Sequence, residues 1–204
     1  MDGAQLRPGK GWTRARLLQA GLAGGAALTG GALMGARGGT GESLASPSEQ
    51  LDAKILNLFL TLEYVQEDFY RAAVKSGRLN GDLLSFASAV RPQESDHVSF
   101  LTERLGSKAG ARPRTNVQPS LASEEKFRST AIALEEAAIA AYIGQAASLT
   151  RRAVAAIAPL VSVEARQVAW VRDIAGVLPA PQAADPARKP DDVLADLRKR
   201  GLIA

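Results

Sequence analysis

The chain has 204 residues and no cysteine. Disulfide staples, zinc-thiolate sites, iron-sulfur clusters and thiol-linked lipid anchors are therefore excluded, and any bound metal must take oxygen or imidazole ligands. Aromatic residues are scarce at 5%. β-branched residues are also thinly spread, whereas Ala and Leu are plentiful, which favours helix over sheet. An excess of one charge is lacking once the N-terminus is set aside. Residues 1–45 carry Arg7, Lys10, Arg14, Arg16 and Arg37 against Asp2 and Glu42, leaving 20 basic and 19 acidic residues in the rest of the chain. The formal charge of +4 thus belongs mostly to the leader, and the remainder has no basic excess of the kind a nucleic-acid partner requires. With 46% hydrophobic and 23% charged residues, one full core can be buried, so a single domain with extensions is expected.

What is present begins with a leader. Thr13-Arg14-Ala15-Arg16-Leu17-Leu18-Gln19-Ala20-Gly21-Leu22 runs into a Gly- and Ala-rich, weakly apolar stretch that ends near Ala36. This is the layout of an export signal. It resembles a twin-arginine signal in which Ala15 separates the two arginines. A small-residue cleavage site after Ser43-Leu44-Ala45 fits residues 1–45, and so does an uncleaved anchor of about 20 residues. The expectation is an exported protein of the cell envelope that meets the membrane only through an uncleaved signal segment.

The rest reads as helices. Ser46-Pro47-Ser48-Glu49 has the form of a capping box with Ser46 as N-cap. Leu51, Ile55, Leu58, Leu62, Val65, Phe69 and Ala72 then alternate spacings of four and three, the seam of a bundle helix, up to Ser76 and Gly77. A turn with Asn80 and Gly81 leads to a second helix with Leu83, Ala87, Val90, Leu101 and Leu105 on its inner face, ended by Gly106. Residues 107–119, with Gly110, Pro113 and Pro119, read as a connection. A third helix is expected from Ser120 to Gln145 and a fourth from Thr150 to Ile174, with Ala153, Ile157, Leu160, Val171 and Ile174 inward. The order of short turn, long crossover and short turn is that of a ferritin-like four-helix bundle, an all-α fold covering residues 46–178. Residues 179–204 read as a Pro-rich linker and a short docking helix with Pro190, Asp191 and Asp192 at its start.

The second helix places Glu94 and His97, the only histidine, on its inner stripe, where packing alone would want apolar side chains. Three residues apart, they share a face and can converge on one metal ion. Taken alone, Glu-x-x-His reads more simply as a hydrogen-bonded core histidine. The wider pattern favours the metal. Leu62-Glu63-x6-Tyr70 in the first helix is echoed by Leu134-Glu135-x6-Tyr142 in the third, and Glu94-x-x-His97 by Glu164-x-x-Gln167. Four carboxylates in one apolar core repel and lose hydration unless cations or protons neutralise them. Helix bundles hold such metals with one Glu from each of two helices and a Glu-x-x-His from each of the others. Glu67, with Arg71 one turn on, reads as a surface pair. Helical period alone admits Glu136, because Ile132, Ile139 and Ile143 share its side; the repeat selects Glu135. Pro92 and Pro159 fall inside helices, where they either bend the helix around the site or mark misplaced ends.

These segments, Leu62 to Tyr70, Glu94-Ser95-Asp96-His97-Val98, Leu134-Glu135 with Ala141-Tyr142, and Glu164-Ala165-Arg166-Gln167, resemble the bacterial ferritin-like domain proteins, which often carry export signals and are related to desiccation-associated ferritin-like proteins. The resemblance covers roughly residues 50–204. It implies candidate metal positions at Glu63, Glu94, His97, Glu135 and Glu164, with Gln167 where a second histidine belongs. A neutral amide oxygen is a poorer iron ligand than imidazole. The cofactor so implied is iron, as one or two ions, with manganese as the alternative. The functional expectation is metal binding with iron oxidation or handling in the envelope, set against a non-catalytic stress or scaffold bundle with a degenerate site. Metal ions are the expected partners and a homo-oligomer the candidate assembly. A role in DNA protection is disfavoured by the leader, whose arginines precede an apolar run.

Overall fold

The computed structural model describes residues 46–204. The expected export signal at residues 1–45 lies outside them. The described part is all-α, with α1 at Glu49–Ser76, α2 at Gly81–Leu105, α3 at Glu124–Gln145, α4 at Arg151–Ile174 and a short α5 at Pro190–Lys199. Short 3-10 turns follow α2 and α3 and precede α3.

α1 and α2 form one hairpin, α3 and α4 the other, and α1 packs on α3 and α2 on α4. The core between them contains Phe59, Leu62, Phe69, Phe86, Leu101, Phe127 and Leu134, all at most 1% exposed. Each buried Phe or Leu of this kind contributes about 1.5–3 kcal/mol relative to exposure. The helix breaks have local causes. Gly77 closes α1 at φ 64°, in the left-handed region that glycine tolerates best. α1 starts two residues later than the capping-box reading: Ser48, not Ser46, is the N-cap and accepts from Leu51 N at 3.2 Å. This register brings Glu49 and Asp52 into the first turn, at the positive end of the helix. α3 likewise begins at Glu124 rather than Ser120, because Ser123 caps it by accepting from Lys126 N.

Pro92 and Pro159 lie within continuous helices. The carbonyls left without a partner by the missing N–H groups belong to Ser88 and Ala155, both on exposed residues that water can reach. The alternative of misplaced helix ends therefore falls away. α4 is long and apolar enough to cross a membrane by length and composition. It serves here as the fourth bundle helix and carries Glu164 and Gln167 into the core.

The long crossover is tied to α1. Asn57 donates to Lys108 O at 2.9 Å and accepts from Gly110 N at 2.6 Å, while Thr115 donates to Asp68. Arg112 pairs with Glu67 and Asp68 and lies over the Tyr64 ring. Glu67 is therefore shared between Arg112 and Arg71 on the partly exposed side of α1. At the other end, Asp52 accepts from both Thr150 N and Thr150 Oγ1, at 2.9 and 2.6 Å, fixing the α3–α4 turn against α1. The C-terminal segment packs on the bundle through Val193, Leu197 and Leu202, each at most 1% exposed. Asn116 N donates to Leu202 O, and Thr115 bridges to Ile203, so residues 107–119 make a pairing that their composition does not disclose.

Candidate metal centre

Four helices each bring one glutamate to the middle of the bundle. Glu63 on α1, Glu94 on α2, Glu135 on α3 and Glu164 on α4 are all fully buried, with His97 and Gln167 nearly so. Glu136, the neighbour that helical period could not exclude, is exposed and receives a hydrogen bond from Arg172 at 2.6 Å.

Two tyrosines cross-link the halves. Tyr70 of α1 donates to Glu135 Oε1 of α3, and Tyr142 of α3 donates to Glu63 Oε1 of α1 at 2.5 Å. Aromatic neighbours fix each ring: Tyr70 stands edge-on to Phe69, Phe86 and Phe127, and Tyr142 packs on Phe59 with centroids 4.2 Å apart. Their hydroxyls are satisfied as a core tyrosine requires, and the acceptors are site carboxylates.

Two carboxamides cap further oxygens. Gln167 Nε2 donates to Glu94 Oε1 at 2.8 Å and to Gln93 Oε1 at 3.0 Å. Gln66 Nε2 donates to both Glu135 Oε2 and Glu164 Oε2 at 3.1 Å. Gln66 is fully buried and was missed in the sequence reading. Its spacing held the signal, since it lies three residues after Glu63 and four before Tyr70 on the same helix face.

The oxygens that remain all face one imidazole. His97 Nδ1 lies 3.3 Å from Glu63 Oε2, 3.7 Å from Glu94 Oε2 and 3.0 Å from Glu164 Oε1. Glu94 Oε2 and Glu164 Oε1 are buried and have no donor near them other than the shared His97 Nδ1. Glu63, Glu94, His97 and Glu164 can thus each offer one ligand atom, all within 4.8 Å of one another. Glu135 and Gln167 stand beside this cluster rather than in it. Both oxygens of Glu135 are engaged, and Gln167 turns its NH2, not its oxygen, toward Glu94.

Electrostatics match this crowding. Burial, then the charge of Glu164, raises the Glu94 carboxyl above its ordinary range, and contact with His97 opposes the rise. Burial and Glu164 raise Glu135, and burial and Glu63 raise Glu164. For His97 burial works against the charge, but contacts with Glu164, Glu63 and Glu94 prevail and hold the imidazolium far above its usual range. Burial and the nearby carboxylates raise both tyrosine hydroxyls.

A family model of the ferritin-like domain matches residues 51–177. The chain belongs to the ferritin-like domain family. Comparison with curated proteins gives no match. The matched span runs from the start of α1 to just past α4, so this ferritin-like domain contains every residue of the polar centre. The donor set fits a metal ion: hard carboxylate oxygens and one imidazole suit iron, manganese and similar divalent ions. Two buried acceptors whose one nearby donor is a shared imidazole nitrogen are what such a site offers to a cation.

Proposed function

We propose that this ferritin-like protein is exported to the cell envelope, binds iron, with manganese as the alternative ion, and handles or oxidises iron there. One observation carries the metal assignment. Every carboxylate oxygen not capped by Tyr70, Tyr142, Gln66 or Gln167 is directed at the only histidine. One Nδ1 carries at most one proton and cannot satisfy three buried carboxylate oxygens together, so their convergence on one point calls for a cation. Glu63, Glu94, His97 and Glu164 would hold it.

Iron bound there would supply one-electron exchange between Fe(II) and Fe(III). The protein's own part is to fix the ligands and keep the site dry. Tyr142 and Gln167 each hold one oxygen of Glu63 and Glu94, which aims the other at His97. Phe59, Phe69, Phe86 and Phe127 wall the centre off. Export rests on the arginine-containing leader and its apolar run, which precede a helical domain of nearly balanced charge.

A second reading has its own support. Protonated His97, set among three carboxylates, makes a polar network that needs no metal, and a non-catalytic envelope bundle would retain it for structure. Anaerobic Fe(II) titration of the purified full chain, with metal analysis, separates the two. Metal binding that Glu94→Ala abolishes is expected. A stoichiometry near zero in the parent protein supports the structural network instead.

A further inference from the structure

The halves of the domain are related by the repeat, and the relation extends to contacts. Glu63 matches Glu135, Tyr70 matches Tyr142, and Glu94-x-x-His97 matches Glu164-x-x-Gln167. The tyrosine contacts obey it: Tyr142 holds Glu63 as Tyr70 holds Glu135. Gln66 breaks it. Its counterpart, three residues after Glu135 and four before Tyr142, is Ala138, and both positions are fully buried.

The consequence falls on opposite sides of the centre. Gln66 bridges Glu135 and Glu164 through one NH2 group. Under the repeat, Ala138 stands in the same relation to Glu63 and Glu94, and a methyl group donates to neither. Glu94 Oε2 is accordingly without a partner, and Glu63 Oε2 meets only His97. The half with Ala138 has free oxygens and an imidazole. The half with Gln66 has its oxygens occupied and a carboxamide in place of the imidazole.

We propose that Gln66 makes this a one-ion centre, its NH2 group bridging Glu135 and Glu164 where a second cation would otherwise join them. The inference rests on the metal assignment above and specifies it. Bundles of this architecture pair two ions between four glutamates and two histidines. Here the chain has replaced the second ion's imidazole with Gln167 and its cation with a neutral donor. Glu164 remains divided, with Oε2 held by Gln66 and Oε1 left for the single ion. The unpartnered Gln66 Oε1 points to the role of its NH2 group: the amide leaves its oxygen unsatisfied while the nitrogen serves two carboxylates.

The test is Mn2+ stoichiometry by equilibrium dialysis on the full chain, read together with the electron paramagnetic resonance of the bound ion. The parent protein should bind one Mn2+ with an uncoupled six-line spectrum. Gln66→Ala and Gln66→Glu should each bind a second ion, and the spectrum should change to that of a spin-coupled pair. Gln66→Glu keeps the side-chain size and carries the test if the alanine variant does not fold by circular dichroism. Two ions in the parent protein overturn the inference and leave the metal assignment standing, whereas none overturns the assignment itself. One ion in both parent and variants shows that Gln66 does not exclude the second. Loss of the single ion in Gln66→Ala would make the glutamine a ligand and equally refute the proposal.

Discussion

Replacing Glu94 by glutamine should stabilise the metal-free protein while destroying its response to metal. The carboxyl is buried, lies among Glu63, Glu164 and His97, and titrates above its ordinary range because of burial and the charge of Glu164. Holding a proton in the native state costs up to about 1.4 kcal/mol for each pH unit above the unfolded carboxyl value near 4.3. The ceiling is therefore about 3–4 kcal/mol at pH 7 and about 1 kcal/mol at pH 5. Glutamine avoids this cost, keeps an oxygen for Gln167 Nε2, and forfeits the favourable contact with His97. A net gain at pH 7 below that ceiling follows, smaller at pH 5. In a domain of this size that is worth about 2–4 °C in Tm per kcal/mol. With a metal ion at 100 times its Kd the parent protein should gain about 2.7 kcal/mol, and the variant far less. Differential scanning calorimetry in chelator and in excess Mn2+ should show the variant's lead shrinking by about 2.7 kcal/mol when the metal is at 100 times its Kd. A variant less stable than the parent in chelator at pH 7, or one that keeps the full metal response, would refute the reasoning.

The metal-free protein should lose stability as pH rises from 5 to 8. Glu94, Glu135, Glu164 and His97 all titrate above their ordinary values, so the native state binds more protons than the unfolded chain across that window, and calorimetry should show Tm falling. The shift on adding Mn2+ should grow over the same range, because binding displaces those protons. Glu135→Gln should leave the ion count unchanged in equilibrium dialysis, since both oxygens of Glu135 are already taken by Tyr70 and Gln66, whereas Glu164→Gln should lower metal affinity at least tenfold. Gly144→Ala should loosen the C-terminal segment, because a Cβ there would collide with Arg188 O. The expected cost is about 1–3 kcal/mol, with faster tryptic cleavage at Arg188 as the readout.

The bundle was legible because its helices carry long stripes at alternating three and four spacings and stop at glycines that take positive φ, Gly77 and Gly106. Capping was less legible. The capping-box spacing pointed to Ser46, whereas the side chain that accepts a first-turn N–H, that of Leu51, belongs to Ser48. The pairing of Thr115 with Ile203 joins two segments without any periodic pattern, so no local signal announces it. For the polar centre, the repeat pointed to Glu63, Glu94, Glu135 and Glu164, and the structure places all four in one buried centre. Gln66 escaped for the same reason. A repeat shows what two halves share, and Gln66 is where they differ.

That difference also gives Glu135 a part to play away from the Glu63, Glu94, His97 and Glu164 cluster. A buried carboxylate without partners would be costly, yet Glu135 has both oxygens engaged, one by Tyr70 and the other by Gln66. Removing it would strand the Tyr70 hydroxyl and leave Gln66 with only Glu164. Glu135 thus acts as the anchor of the cap. Its acceptors keep the Gln66 NH2 group between α3 and α4, and through Gln66 it fixes which oxygen of Glu164 turns toward His97. Restoring a second histidine at Gln167 alone would leave the Gln66 bridge in place, whereas opening position 66 frees oxygens on two helices at once.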